Sequence, residues 1–174
     1  MKTPIRLAII FFSLSLFCSI EIAAQNVTAE YSVEQINELY KNHKMHNPHD
    51  SHPSLELNKT FLKDFPGARD IDWEKSEVLY EVEFEIGRLP SRDYKAYYDM
   101  KGQLVMYKQE ISTRDLPAVV KNGALGKYPN FSIEEASKIV KGKEVFYKVE
   151  VEKGDFDVKI ILNTEGVIVE EVMD

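Results

Sequence analysis

Cysteine is almost missing from this chain: of 174 residues only Cys18 carries a thiol. It sits in the opening stretch, where Lys2 and Arg6 precede an apolar run from Leu7 to Ile22 interrupted only by serines, Cys18 and Glu21, before Ala23-Ala24-Gln25. That order of charge, apolar run and small residues predicts a secretory signal peptide over residues 1–24, cut after Ala24. Acylation of Cys18 as a lipoprotein is the lesser alternative, because Phe17 stands where that processing needs a small residue. The expected mature chain then has no cysteine, which excludes disulfides, thiolate nucleophiles and cysteine metal sites together. Its stability must come from a packed core, for which the remaining length suffices as one domain or two small ones.

Two further absences narrow the function. After the signal no apolar run is long enough to span a membrane. Basic charge is also short, with 22 Lys and Arg against 29 Asp and Glu and a formal net charge of −7. Loss of Lys2, Arg6 and Glu21 makes it more negative still, and the remaining Lys and Arg are scattered among acids without a basic stripe, which argues against nucleic-acid binding.

What is present is a helical opening followed by strands. Ser32-Val33-Glu34-Gln35 forms a capping-box pattern, and Val33, Ile36, Leu39 and Tyr40 recur at helical spacing up to a stop before Pro48. Asn47 to Pro53 reads as a linker. A second helix begins at Ser54, carries Leu57, Phe61 and Phe65 on one face, and ends at Pro66-Gly67. Tyr80 to Ile86 then alternates apolar and acidic residues, a strand with one face on a core and the other in water. Tyr94 to Met100 and Leu104 to Ile111 follow as further strands in antiparallel hairpins, their connections being too short for parallel crossovers.

The second half repeats the first. Phe65-Pro66 matches Tyr128-Pro129, which closes a helix starting at Asp115-Leu116-Pro117; Tyr80-Glu81-Val82-Glu83-Phe84 matches Tyr147-Lys148-Val149-Glu150-Val151; Asp99-x-x-Gly102-x-Leu104 matches Asn163-x-x-Gly166-x-Ile168. The offsets are 63, 67 and 64 residues, in order along the chain. The expected class is therefore α+β: tandem duplicated units, each a helix packed on an antiparallel β-sheet, after an N-terminal helix. The expected divisions are the signal peptide at 1–24, the N-terminal helix and histidine-rich linker at 25–53, and repeats at 54–112 and 113–174.

Phe65-Pro66-Gly67-Ala68, Ile71-x-Trp73, Tyr80-x-Val82-x-Phe84, Tyr94-x-Ala96-x-Tyr98-Asp99-x-x-Gly102, Leu116-Pro117-x-Val119, Tyr128-Pro129 and Ile133-x-x-Ala136 together give a pattern that resembles the PepSY-like, or β-lactamase-inhibitor-like, family of exported bacterial proteins. The resemblance covers roughly residues 54–172. It implies a tandem architecture akin to the β-lactamase inhibitor protein, a periplasmic or secreted location, and a role in binding or inhibiting another protein. It brings no catalytic residues. The chain departs from the pattern in having Ser54-Leu55 where the second repeat has Leu116-Pro117, and the segment from Val33 to His52 lies outside it.

That outside segment holds all four histidines, His43, His46, His49 and His52, each three residues after the last. Imidazole is the commonest transition-metal ligand, and Met45 and Asp50 add soft and hard donors, so zinc, copper or nickel are the metals to expect if this is a site. On a helix His43 and His46 share a face; on an extended path successive histidines stand about 9 Å apart and need a bend to share one ion. A solvated, histidine-rich linker is the plainer reading. With no histidine in the repeats and no cysteine in the mature chain, Ser–His catalysis requires the linker to fold back onto a repeat. The expectation is an exported, non-catalytic binding protein, an inhibitor or modulator of an exported enzyme with an unknown exported protein as partner; the alternative is metal binding or sensing through the four histidines. Tyr97 with Glu81, Glu83 and Glu85 on the outer strand faces are candidates to line a binding sheet, against the plainer reading of a charged, solvated face.

Overall fold

Ser32 starts the first helix as its spacing requires. Its hydroxyl accepts from Gln35 N at 3.4 Å, and the Gln35 side chain accepts from Ser32 N at 2.9 Å, so two otherwise unpaired donors at the helix start are satisfied reciprocally. The helix, α1, runs Val33–Met45 and stops before Asn47, whose φ of 44° breaks the helical path ahead of Pro48. Helix α2, Leu55–Asp64, is capped by the Ser54 hydroxyl at 3.2 Å from Leu57 N and buries Leu57 and Phe61. Helix α3, Ala118–Lys127, begins after Pro117 and buries Val120 and Ala124. The computed structural model describes residue 27, residues 30–88 and residues 90–173; the signal peptide expected at 1–24 falls outside them. Among the described residues no helix is long and apolar enough to cross a membrane.

The strands are β1 His49–Asp50, β2 Arg69–Lys75, β3 Leu79–Ile86, β4 Arg92–Asp99, β5 Leu104–Ile111, β6 Ser132–Lys141, β7 Glu144–Lys153, β8 Phe156–Asn163 and β9 Ile168–Met173. They form one sheet whose spatial order is the chain order, every neighbouring pair antiparallel. The segment from Asn47 to Pro53 is therefore more than a linker, since His49 and Asp50 pair with Lys75 and Glu74. The sheet runs unbroken between the two halves, because β5 and β6 pair from Met106–Lys141 to Ile111–Ala136.

A helix followed by a four-strand meander occurs in both halves. The matched positions have matched geometry: Phe65 and Tyr128 end their helices with φ/ψ of −126/73° and −116/66°. Asp99 and Asn163 each use a side-chain oxygen to accept two backbone N–H groups of the following turn, at 2.8–2.9 Å and 2.9–3.1 Å. Strand alternation then assigns the faces. Along the β5–β6 pair, Tyr107 with Val140 and Ile111 with Ala136 lie on one side, and Met106 with Lys141 and Lys108 with Ile139 on the other. The first side is covered by α2 and α3. Under α2 the core is aromatic, with Phe61, Phe65, Trp73, Phe84, Tyr94, Tyr98 and Tyr107. Under α3 it is aliphatic, with Val149, Val151, Val158, Ile160 and Leu162. The second side carries α1 over its first half, closing a third cluster of Ile36, Leu79, Tyr97, Val105, Met106, Ile139 and Phe146.

Candidate functional site

The position of α1 on the second face is fixed by a buried polar contact. The last turn of α1 buries His43 completely, and its Nε2 lies 2.7 Å from Glu81 Oε2. An ionised carboxylate only accepts, so Nε2 donates. On its other side Nδ1 sits 2.9 Å from Ser76 Oγ. Lys44 donates to the same Glu81 oxygen at 2.8 Å, and Lys95 lies 2.8 Å from Oε1 without a well-aligned hydrogen bond. Glu81 is 1% exposed, which corrects the alternation argument that put it in water: α1 closes over that side of the strand. Burial by itself raises its pKa, but the hydrogen bonds from His43 and Lys44 and the nearby charge of Lys95 prevail and hold it at about 2. Tyr97 packs edge-on to Tyr40 and His43, with ring centroids 5.4 and 5.9 Å away.

Ser76, His43 and Glu81 thus stand in the order of a nucleophile, a base and an orienting acid, with a histidine of α1 brought against the first half of the sheet. The order alone does not make an active site. Ser76 is 4% exposed and its hydroxyl accepts from Val78 N and Leu79 N at 3.2 and 3.3 Å, so it is sealed in a turn away from any substrate carbonyl. The contact anchors α1.

The four histidines do not converge. His43 is buried, whereas His46, His49 and His52 are exposed, and His46 turns back to the Asn42 carbonyl at 2.7 Å. Among the described residues the group with metal-ligand spacing is instead His43, Glu74 and Glu81, whose donor atoms lie within 4.8 Å of one another. A cation there would meet the ammonium groups of Lys44 and Lys95, which already neutralise Glu81. The donor set therefore fits a closed ion-pair network better than a metal.

Beyond α1 the second face opens into a groove of about 770 Å³. Asn37, Tyr40, Lys41, Lys44 and Met45 form its α1 wall; Tyr97, Met106, Ile139 and Ile161 make an apolar floor; Lys108, Lys141, Lys148 and Lys159 rise from β5, β6, β7 and β8, with Glu170 the lone acid. A chain with a net charge of −7 thus gathers six lysines at one place. The sequence shows no basic stripe because these lysines come from five separate elements, and only the meander brings them together. Lys108, half-buried, has its pKa lowered by burial and by the neighbouring Lys148 and Lys95. Burial lowers Lys141 as well, although its Nζ donates to Asn37 Oδ1 at 2.6 Å and helps hold α1. Which lysines rim the floor depends on strand register and could not be read beforehand.

No protein-family model matches the chain, and no curated protein matches it in sequence. Solved structures do match. A BLIP-like protein from Bacteroides fragilis superimposes with a TM-score of 0.59 at 21% identity, over 71% of this chain and 87% of its own. A DUF2874 family protein from Bacteroides uniformis gives 0.61 at 20% identity, over 71% and 90%. A Bacteroides eggerthii protein provisionally assigned to the periplasm gives 0.62 at 14% identity, over 71% and 90%. At these identities the likeness is one of fold, and the fold of this chain is BLIP-like.

Proposed function

We propose that the protein is an exported, non-catalytic binding protein that holds a protein partner in the groove beside α1, as an inhibitor or modulator of an enzyme outside the cytoplasm. The observation that carries this reading is the groove itself: an apolar floor edged by lysines, of ligand-site size, where the sheet face meets the side of α1. The signal-like opening of the chain and the BLIP-like and provisionally periplasmic structural neighbours support export and partner binding. The matched caps and turns support reading the two halves as copies of one PepSY-like unit, with α1 added to wall the groove.

Capture of partners from the exported fraction of the source cells tests the reading. The unaltered protein and a Val119→Asp variant, altered on exposed α3 on the opposite side, should retain the same partner, and Ile139→Asp in the groove floor should lose it. Equal retention by both variants would move the site elsewhere.

A further inference from the structure

The groove's charge and apolar pattern specify its occupant. Strand register places Met106 beside Lys141, Ile139 beside Lys108, and Ile161 beside Lys148. Met106, Ile139 and Ile161 therefore form an oblique apolar line across the sheet, with Lys141 on one side and Lys108 and Lys148 on the other. Three steps of about 4.8 Å between strands and four residues of about 3.4 Å along them make the oblique line roughly 20 Å long, the reach of about six extended residues.

Three features choose among anionic ligands. Lysines stand on both sides of the apolar line, so the complementary molecule has an apolar ridge with negative charge along both edges. Among the described residues Lys41, Lys108 and Lys148 make no ion pair within the protein, which leaves more positive charge than a single carboxylate head group answers. The surrounding protein is acidic, so a long polyanion such as nucleic acid is repelled outside the patch, whereas a short segment meets the patch alone.

Resting on the binding reading above, we propose that the groove takes an acidic peptide segment of a protein partner, with apolar side chains on the Met106–Ile139–Ile161 line and Asp or Glu side chains against Lys108, Lys141 and Lys148. Charge pairing sets its orientation and arrival rate, and the apolar line holds it once docked.

The test is fluorescence anisotropy with a labelled decapeptide of five Leu-Glu repeats, its five Leu-Gln counterpart, and sodium laurate as a single-headed competitor. The glutamate peptide should bind at low salt, at least tenfold more tightly than the glutamine peptide, and lose at least tenfold in the Lys108→Gln/Lys148→Gln double variant. Lys63→Gln/Lys121→Gln, changed on α2 and α3, should bind as the unaltered protein does. Equal binding of the two peptides, or no loss in the groove variant, overturns the proposal; so does laurate binding that the peptide cannot displace, which would make the occupant an amphiphile. The same double variant in the capture experiment separates the two readings. A partner lost with Ile139→Asp but kept with Lys108→Gln/Lys148→Gln removes the acidic segment and leaves the binding reading, whereas a partner kept by both removes the groove as the site.

Discussion

The two halves of the sheet reach one topology with opposite packing. In the first half α2 stands on aromatic rings: Phe61 contacts Phe65, Trp73 and Phe84 with centroids 4.9–5.8 Å apart. Where the β4–β5 turn passes under that helix there is room, since a Cβ on Gly102 would lie 3.7 Å from the Leu57 side chain. In the second half α3 carries Val120 and Ala124 inward and lies so close that a Cβ on Gly123 would come 2.1 Å from the Gly166 carbonyl oxygen. Side-chain size sets how far a helix stands from its sheet, and the turn residues must agree with that distance. What the two halves share is the meander and its caps; their cores are filled by different side chains.

That contrast can be broken from either side. Phe61→Ala, which opens an aromatic-sized cavity, should cost about 4 kcal/mol in urea unfolding, against about 2 for Val120→Ala beneath α3. Equal costs would mean that the two halves share load in a way their cores do not suggest. Gly123→Ala should cost about 3 kcal/mol, because two backbones must part, even though alanine is intrinsically the better helix residue by about 1. Gly102→Ala, at φ 79° but with ordinary clearance, should cost only about 1, from backbone strain alone. Comparable losses at the two glycines would deny the closer approach of α3.

The second face separates the halves again, because only the first carries α1. Glu81 has its folded pKa depressed from 4.5 to about 2. Its contribution to stability is therefore complete above about pH 4.5 and disappears as the pH falls towards 2. Unfolding free energy should drop across that window by on the order of 2 to 3 kcal/mol more in the unaltered protein than in Glu81→Gln, which cancels the other carboxylates from the comparison. Parallel pH profiles for the two proteins would mean that the His43–Glu81 contact does not hold α1.

Most of the local structure was legible in the sequence, since caps, turns and alternation depend on neighbouring residues. The Ser32 capping box, the Ser54 start, the Phe65-Pro66 stop, the strand around Val82 and Phe84, and the matching Asp99 and Asn163 turns are all of this kind. β1 was hidden in a linker because two residues carry no period. β2 was visible only as Ile71-x-Trp73, because among its first five residues only Trp73 is buried. The site was harder still. The burial of Glu81 depends on a helix 38 residues earlier in the chain, and the six lysines become neighbours only when β5 to β8 are laid side by side against α1. The four histidines drew attention by spacing, yet geometry uses one of them, and uses it as an anchor.

A sheet whose spatial order follows its chain order grows by local steps, each strand adding to the one before across a short hairpin or a single helix, so little loop entropy opposes assembly. Helix α1 breaks that economy: its Asn37 meets Lys141 across 104 residues, and Tyr31 just before it meets Asp99 across 68. It can dock only after the strands it touches are in place. Docking of the groove wall therefore carries a loop-closure cost that the meander does not, and the groove takes its shape only once the strands beneath α1 are in place.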